Sequence, residues 1–374
     1  MRIAMIGQKG LPAQYGGIER HVEELSLELV KQNHEVLAYA RAWYSPKAET
    51  KYQGIKIIHT PTIHSKHLDA IIHTFTATIH AIFQKPDVIH YHGVGPALMA
   101  WIPRVLTPKT KVIVTFHCID RYHQKWGWLA RQMLRLGELA ACYFPHETIS
   151  VSKTIYNYCI NEYQSPTTYI PNGVNLDSKN SAPLQEFGLE ENKFLVMVSR
   201  LVPHKGAHYL ISAWQEAKKR APELLQGYKL AIVGGSAFTD KYVTKLNSMI
   251  VNDKSVVLTG WQQGEKLMAL FKDAKMLVHP SENEGMSLSI LRAMSLGKPV
   301  LLSDIAENRE LIPDPRFWFI NTDVESLTKK IIELMSDEKL LTEGGEMNKK
   351  MVTDNFLWDD IAKQTEELYI VHSQ

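Results

Sequence analysis

Short apolar runs alternate along the chain with longer segments in which apolar residues recur every three or four positions. Ile3–Ile6 and Val112–Phe116 are such runs, and continuous apolar runs of this length are typical of strands buried on both faces. Glu19–Lys31 has helical apolar spacing from Val22 onwards and is predicted to be an amphipathic helix. The other elements predicted in the first half are strands at 36–39, 55–58, 88–91 and 148–151 and a helix at 68–83.

The alternation stops at a polar stretch, 170–183, and then restarts. This stretch contains Pro171, Asn172 and Gly173 and is predicted to connect two domains. The elements predicted after it are strands at 194–198, 230–233, 256–258, 276–278 and 300–302 and a helix at 210–220. Strand and helix in alternation favour a parallel sheet with helices on both faces. We therefore predict an α/β fold of two Rossmann-like doubly wound domains facing a central cleft, with boundaries at 1–175 and 176–355.

Composition narrows the class of protein. The 374 residues are 45% apolar and 22% charged, as expected of a globular protein with two or three domains. The net charge of +2 argues against a bulk nucleic-acid binder. The three cysteines, Cys118, Cys142 and Cys159, lack metal-ligand spacing and suggest a reducing compartment, so a cytoplasmic location is expected. No stretch approaches the roughly 20 apolar residues of a membrane-spanning helix, and the apolar run at the N-terminus is too short for a signal peptide.

The loop from His279 to Ser287 is the strongest candidate site. It follows the predicted strand at 276–278, carries Glu284 and Gly285, and leads into a predicted helix. Open α/β sheets bind ligands at the carboxyl ends of their strands, and helix-start amides favour anions. Glu284 is therefore placed to bind a neutral, hydroxyl-rich group such as a sugar beside an anionic group such as a phosphate. The alternative is an ordinary loop whose acids complement a helix dipole.

Two further loops join a strand to a helix. The first ends in Gly16-Gly17, where backbone amides can approach an anion, although the glycines lack the dinucleotide-binding spacing and no Walker motif is present. It could instead be merely flexible. The second carries Arg200 and Lys205. A planar guanidinium with several donors and a compact ammonium together suit a pyrophosphate. Two cations in one loop are also often only solvated.

Histidines follow two of the predicted strands. His117 ends the strand at 112–116 and is a candidate for the site, although a lone histidine is usually structural. His90 and His92 alternate on one strand and so share a face, and we interpret them as structural or as supporting the site. Zinc would need further ligands with convergent spacing, and the sequence shows none, so no metal is predicted.

Taken in order and spacing, these features resemble the retaining, metal-independent glycosyltransferases with the two-domain GT-B fold, and more narrowly glycosyltransferase family four, the group 1 transferases. The resemblance covers nearly the whole chain. The motifs that carry it are Gly16-Gly17-Ile18-Glu19, His117, Ile170–Val174, Arg200 with Lys205-Gly206, Glu284-Gly285 to Ala293-Met294, and Gly297–Val300.

The resemblance implies a role for each matching residue. Gly16 and Gly17 would face the donor phosphates or the transferred sugar, and His117 would stabilise charge near the anomeric carbon. Glu284 would orient sugar hydroxyls, and Arg200 with Lys205 would hold the leaving diphosphate. The remaining donor-binding positions are the backbone from Gly285 through Met286 and Ser287, which would cradle the diphosphate, and Gly260, which would lie near the nucleotide base. The last helix, within 356–374, would cross back to the first domain.

The implied activity is transfer of a hexose-type sugar from a nucleotide-diphosphate sugar to a glycan or lipid-linked acceptor, with retention, in cell-surface polysaccharide or glycoconjugate biosynthesis. No cofactor is expected beyond the donor substrate, and the absence of an Asp-x-Asp pair agrees with a metal-free reaction. Two other functions remain open. One is a catalytically impaired nucleotide-sugar binder acting as a partner of another transferase, and the weaker one is a sugar-nucleotide epimerase.

Arg292 departs from the family pattern. The pattern is Glu-x7-Glu, and its second glutamate accepts hydrogen bonds from the ribose, whereas arginine has donors only. Other groups could hold the ribose, the donor could be a deoxyribose nucleotide, or donor binding could be lost.

Residues 121–135 are basic and aromatic and contain no acidic residue. This pattern is typical of a helix that docks on anionic lipid, so peripheral contact with the inner face of the membrane is expected there. The alternative is a partly buried core helix with a solvated cationic face.

Overall fold

The computed structural model describes residues 1–63, 65, 68–119, 121, 127–176 and 184–370. The chain divides into two compact units. Unit 1 comprises Met1–Gly173 together with Trp358–Gln374, and unit 2 comprises Val174–Leu357. The division falls at 173/174 and 357/358, against the boundaries of 175/176 and 355/356 expected from the sequence.

Unit 1 is built on an eight-stranded sheet in the order β3-β4-β2-β1-β5-β6-β7-β8. All neighbouring strands pair in parallel except the β3–β4 pair, which is antiparallel. The strands are β1 Arg2–Ile6, β2 Glu35–Ala40, β3 Lys51–Tyr52, β4 Ile55–His59, β5 Val88–His92, β6 Lys111–Phe116, β7 Glu147–Ser150 and β8 Thr168–Tyr169. The order reverses between β1 and β5, so the loops after these two strands meet at a topological switch point.

Helices of unit 1 follow the strands in the predicted alternation. They are α1 Gly17–Lys31, α2 Asp69–Phe83, α3 Val94–Ala97, α4 Trp101–Leu106, α5 Trp128–Tyr143, α6 Lys153–Tyr163 and, from the end of the chain, α14 Trp358–Ile370. The last helix packs on α1: His34 Nε2, just beyond α1, lies 2.6 Å from Glu366 Oε1, and the Trp358 ring lies 5.2 Å from the His21 ring. The final helix is therefore an integral part of unit 1.

Unit 2 contains a six-stranded, fully parallel sheet in the order β11-β10-β9-β12-β13-β14. Its strands are β9 Phe194–Val198, β10 Lys229–Val233, β11 Val256–Gly260, β12 Met276–His279, β13 Val300–Ser303 and β14 Trp318–Phe319. The order reverses between β9 and β12. The loops that follow these two strands therefore lie side by side at the carboxyl edge of the sheet.

The helices of unit 2 are α7 Ala207–Arg220, α8 Asp240–Met249, α9 Gly264–Lys272, α10 Leu288–Ser295, α11 Ala306–Leu311, α12 Val324–Met335 and α13 Glu338–Asn355. Asp323 and Asp337 begin α12 and α13 because their carboxylates accept the amides of Ser326 and Leu340. The central strands read as apolar runs because both of their faces are covered, as the fully buried Leu195, Ile232 and Leu277 show.

The prediction of two parallel-sheet α/β domains is confirmed, and the differences are local. The helix predicted at 210–220 begins at Ala207, because Gly206 adopts a φ of 74° and turns the chain directly into it. The strand predicted at 148–151 ends at Ser150, because Ser152 already caps α6 by accepting the amide of Ile155. Of the predicted connection at 170–183, residues 177–183 lie outside the described part of the chain. None of the described helices is long and apolar enough to span a bilayer.

Candidate functional site

The loops after β9 and β12 are held against each other in unit 2. The amide of Glu282 donates to the carbonyl of His204 over 2.8 Å. Gly206 packs so closely on Pro280 that a Cβ at this position would overlap the Pro280 carbonyl oxygen, and its φ of 74° also favours glycine. Side chains from both loops are therefore positioned at the switch point by backbone contacts.

The Glu284 carboxylate is the buried centre of this region. The side chain is 7% exposed, and its Oε1 accepts from the Lys205 ammonium and from His279 Nε2, the latter at 2.7 Å. Burial alone would raise the pKa of Glu284, but Lys205 and His279 outweigh burial and hold the pKa well below its usual range. Glu284 is therefore an ionised, charge-compensated carboxylate at neutral pH.

Lys205 and Arg200 lie in the same loop but in different environments. Lys205 is 14% exposed and paired with Glu284, although the sequence assigned these two residues to different parts of a ligand. Arg200 is half-buried, and among the described residues no carboxylate lies within ion-pairing distance of its guanidinium. The loop thus offers one cation that is neutralised locally and one that is not.

Helix α10 begins at the same edge of the sheet. Ser287 is its N-cap in an extended conformation, and the first turn contains no acidic residue. Gly285, Met286 and Ser287 are buried in the approach to the helix. The partial positive charge at this helix start therefore has no carboxylate from its own first turn to balance it.

Gly260 ends β11 with a φ of 71°, and its carbonyl accepts the amide of Gly234 over 2.9 Å. The Trp261 indole lies so close to Gly235 that a Cβ there would overlap it, while 41% of Trp261 remains exposed. A partly exposed aromatic side chain therefore lies beside the loops after β10 and β11.

The guanidinium of Arg292 is anchored within unit 2. Its Nη1 donates to the carbonyl of Asn175 over 2.7 Å, so this position on α10 tethers the first residues of the unit. A glutamate at this position could not make that bond, because carboxylates accept and do not donate when ionised.

Glu307 is a residue that the sequence reasoning missed. It lies in the first turn of α11, after β13, and is 8% exposed. Burial raises its pKa to about 7, and the negative charge of Glu284 adds to the rise. No motif marks this position; only its tertiary environment sets it apart.

In unit 1, the glycine loop leads into α1 next to a carboxylate of the same chain. Gly16 has a φ of 105°, and a Cβ there would overlap the carboxylate of Glu19, which accepts the amide of Lys9 at 3.0 Å. A Cβ at Gly17 would meet no atom within 4 Å. The role of Gly16 and Gly17 towards a donor stays a prediction, and Glu19 is a second group at this helix start.

His92 fixes the proton of His117. His92 Nε2 lies 3.4 Å from Met5 Sδ, and since a thioether only accepts, this nitrogen carries the proton of His92. His92 Nδ1 is then the acceptor for His117 Nε2 at 3.3 Å, which leaves His117 Nδ1 as an acceptor. Burial first, and neighbouring imidazoles second, hold the pKa of both rings well below its usual range, so both are neutral.

The basic region at 121–135 falls partly outside the described residues, because residues 122–126 are not described. Arg121 points inward: its guanidinium donates to the Tyr158 hydroxyl and lies 3.5 Å from the buried Glu138 carboxylate. Arg131 and Arg135, in contrast, are exposed on α5. The outward-facing basic groups of this region are therefore on the helix.

Two family models match consecutive parts of the chain. Glycosyltransferase Family 4 matches residues 15–178, and Glycosyl transferases group 1 matches residues 183–351. The two ranges lie in the first and second α/β halves, and each contains the candidate residues of its half.

Curated relatives are similar over their whole length. An uncharacterized glycosyltransferase of Methanocaldococcus jannaschii is 24% identical over 99% of this chain and 98% of its own. The GDP-mannose-dependent alpha-(1-6)-phosphatidylinositol monomannoside mannosyltransferase of Mycolicibacterium smegmatis is also 24% identical, over 96% of this chain and 95% of its own.

Solved structures share the fold. Sucrose-phosphate synthase from Thermosynechococcus elongatus superposes with a TM-score of 0.83 at 19% identity and covers 98% of each chain. HepE of Anabaena, solved with UDP and glucose, gives a TM-score of 0.79 at 19% identity and covers 98% of this chain and 99% of its own. Both are GT-B glycosyltransferases, which confirms the predicted fold family.

Proposed function

The chain belongs to the group 1 glycosyltransferases of the GT-B fold and transfers sugar from a nucleotide sugar, and we propose that it moves a hexose to a glycan or lipid-linked acceptor with retention of anomeric configuration. The proposed setting is the biosynthesis of cell-surface polysaccharide or glycoconjugate. No metal or other cofactor takes part in the proposed reaction.

The observation that carries this proposal is the arrangement around Glu284. A buried, ionised carboxylate can accept hydrogen bonds from sugar hydroxyls, and it lies in one cluster with the ammonium of Lys205. Lys205 has three donors and can keep its bond to Glu284 while donating to a diphosphate oxygen. Arg200 has no carboxylate partner among the described residues, so its guanidinium can bind the same diphosphate.

The proposed reaction breaks the bond between the anomeric carbon and the diphosphate oxygen. Positive charge develops on the sugar ring, and negative charge develops on the leaving diphosphate. Arg200, Lys205 and the amides at Met286 and Ser287 stabilise the leaving group, because preorganised donors act most strongly where charge appears. The acceptor hydroxyl attacks the same face of the sugar and gives its proton to the leaving phosphate. His117 contributes near the anomeric carbon through Nδ1, the nitrogen that His92 leaves free to accept.

Names of relatives support the two substrate classes. The mycolicibacterial relative is named for GDP-mannose and a phosphatidylinositol lipid, and the Anabaena structure contains UDP and glucose. We propose a nucleotide hexose as donor and leave the base open. The second candidate function, an impaired nucleotide-sugar binder, is favoured only by Arg292, whose Nη1 donates to the carbonyl of Asn175.

We further propose that unit 1 contacts the membrane through helices α4 and α5. Their outer surfaces carry exposed apolar side chains: Trp101, Val105, Leu106, Trp128, Met133, Leu136 and Tyr143. Leu98, Trp101, Leu136 and Tyr143 line a groove of about 500 Å³ between the two helices. Exposed apolar patches of this kind mark interaction surfaces.

The charge of this surface selects anionic lipid as the partner. Arg104, Arg131 and Arg135 are exposed on α4 and α5, and the only carboxylate of the two helices, Glu138, is fully buried. Basic side chains near an anionic bilayer contribute about 1 kcal/mol each, so Arg131→Glu with Arg135→Glu should weaken binding to phosphatidylglycerol vesicles by roughly 30-fold or more. Lys329→Glu with Lys339→Glu, exposed on unit 2, is the matched control and should bind as wild type does. Equal cosedimentation of both double variants would exclude this surface.

The stereochemical course tests the transferase proposal. We expect the protein to release nucleoside diphosphate slowly from one α-linked nucleotide hexose without acceptor, and the freshly released hexose to be the α anomer by ¹H NMR. Initial release of the β anomer would contradict retention. No diphosphate release with any of the UDP, GDP, dTDP and ADP sugars, with or without acceptor lipid, would favour the impaired binder instead.

A further inference from the structure

Three imidazoles from separate elements of unit 1 meet at one point. His21 is on α1, His92 ends β5, and His117 follows β6. One ring nitrogen of each lies within 4.8 Å of those of the other two. The three residues are 4%, 1% and 8% exposed respectively, so the cluster is buried and His117 is the most exposed of the three.

Asn172 determines which ring nitrogen of His21 carries the lone pair. His21 Nδ1 lies 2.8 Å from Asn172 Oδ1, and since an amide oxygen only accepts, Nδ1 carries the proton. His21 Nε2 is then a bare acceptor, and it is buried without a hydrogen-bond partner among the residues that the structure describes. A buried polar atom in this condition is uncommon and calls for a ligand or another explanation.

His92 is held in the same way. Met5 Sδ accepts from Nε2, so the lone pair of His92 is on Nδ1, which faces His117 Nε2 at 3.3 Å. Two nitrogens bound to one tetrahedral zinc ion, each at about 2.0–2.1 Å, are about 3.4 Å apart. The His92–His117 spacing therefore already equals that of two ligands on one ion, and a ring nitrogen of His21 lies within 4.8 Å of a ring nitrogen of each of the other two.

We propose that His21 Nε2, His92 Nδ1 and His117 Nε2 bind a transition-metal dication such as Zn²⁺, and that the bound ion inhibits transfer by withdrawing His117 from the donor. Binding requires the His117 proton to move from Nε2 to Nδ1, since the ligating nitrogen of a neutral imidazole must present its lone pair. An all-imidazole set suits Zn²⁺, Cu²⁺ or Ni²⁺, whereas Mg²⁺, Ca²⁺ and Mn²⁺ prefer oxygen ligands. The inhibitory half rests on the proposed role of His117, and the binding half does not.

His90 serves as an internal reference because it is next to the cluster but not available to it. Its Nδ1 bonds to the Tyr369 hydroxyl and its Nε2 to Thr115 Oγ1, each at 2.7 Å. Both nitrogens are occupied, so a metal ion would have to break an existing bond to recruit this ring. The ligand set therefore comprises three histidines and not four.

Equilibrium binding of Zn²⁺ to the untagged, chelator-treated full chain tests the binding half. We expect one equivalent of Zn²⁺ to bind in competition with a chromogenic chelator, and Mg²⁺ not to displace it. His21→Gln should weaken binding by about 100-fold, and Asn172→Ala, which removes the group that orients His21, by about 10-fold to 100-fold. His208→Gln, a half-buried histidine of unit 2, should bind as wild type does. Absence of a zinc-binding site, or equal affinity in His21→Gln and wild type, would overturn the proposal.

A measurement on the wild-type chain covers the case in which a variant fails to fold. X-ray absorption of the one-equivalent Zn²⁺ complex should show three imidazole ligands, and a shell with fewer than two imidazoles would refute the site. Measurements of transfer activity then distinguish metal binding from inhibition by the bound metal. We expect one equivalent of Zn²⁺ to abolish transfer and EDTA to restore it, and full activity with Zn²⁺ bound would refute inhibition. A metal-free enzyme without activity would count against the proposed function, because the binding titration needs no turnover.

Discussion

Replacement of Glu284 by glutamine is the most informative perturbation of unit 2. The carboxylate neutralises Lys205 in a region where the two side chains are 7% and 14% exposed. At the separation of about 3 Å that is usual for an ammonium and a carboxylate in hydrogen-bond contact, and at an effective dielectric constant of about 20, two such charges attract by about 5 kcal/mol before desolvation is counted. Removing one member of a buried pair typically costs about 3–5 kcal/mol, and since glutamine keeps the size and one acceptor, we expect a loss of about 3 kcal/mol at pH 7.

Chemical denaturation measures this loss, and Glu282→Gln is the matched control. Glu282 lies in the same loop and has the same side chain, and among the residues that the structure describes its carboxylate accepts only from the Tyr209 hydroxyl, at 3.1 Å, so its replacement should cost about 1 kcal/mol or less. The two units can unfold in separate transitions, so the change should appear in the transition of unit 2. If Glu284→Gln is as stable as Glu282→Gln at pH 7, the ion pair does not stabilise the fold and its assigned energy is wrong.

The pH dependence of stability tests the same ion pair. The pKa of Glu284 is lower in the folded chain than its ordinary value of 4.5, so its contribution is complete above the unfolded value and is lost as pH falls through the folded one. The stability gap between wild type and Glu284→Gln should therefore be constant from pH 8 to about pH 5 and close in more acidic solution. A gap that closes between pH 8 and pH 6 would point to a different titrating group.

Four other outcomes are expected. Arg200→Ala and Lys205→Ala should each weaken nucleoside diphosphate binding by about 1.5–3 kcal/mol by titration calorimetry, and unchanged isotherms in both would refute their assignment. Arg292→Glu should weaken donor binding, because it breaks the bond to Asn175 and adds negative charge near the diphosphate. Tenfold tighter binding of a UDP or GDP sugar would instead show that Arg292 impairs the donor site of the native chain. Transfer should survive EDTA, and activity that EDTA destroys and Mg²⁺ or Mn²⁺ restores would contradict the metal-free reaction. Burial raises the pKa of Glu307 to about 7, so as pH rises the carboxyl ionises in the unfolded chain before it ionises in the folded one, which lowers stability. Glu307→Gln should therefore stabilise the chain by about 1–3 kcal/mol at pH 8 and not at all below pH 4. A pH-independent effect in chemical denaturation would refute the raised pKa.

Sequence patterns predicted the architecture because they report directly on burial. The apolar runs of β1, β6, β9 and β12 are buried on both faces, and loops after such strands collect at one edge of a parallel sheet. Arg200, Lys205 and Glu284 could therefore be assigned to one region from the sequence alone. The two-residue strands β3, β8 and β14 were not predicted, because so short a segment has no periodicity to detect.

The side-chain contacts at the candidate site could not be predicted. Lys205 and Glu284 are 79 positions apart, and only the adjacency of β9 and β12 makes them partners. His21 is on a helix whose apolar spacing says nothing about its ring, and it meets His92 and His117 through the packing of α1 on the sheet. For that reason a third ligand near His92 could not be predicted from the residue pattern. Glu307 became a candidate only because its environment raises its pKa.

Thermal shift with a panel of nucleotide sugars tests the central claim most directly, because a ligand that binds the folded state raises the melting temperature by mass action. We expect at least one of the UDP, GDP, dTDP and ADP hexoses to raise the melting temperature of the wild-type chain. The same donor should give no rise in the Arg200→Ala, Lys205→Ala double variant. Either no shift with any donor in the wild type, or an equal shift in the double variant, would contradict a nucleotide-sugar site at the loops after β9 and β12.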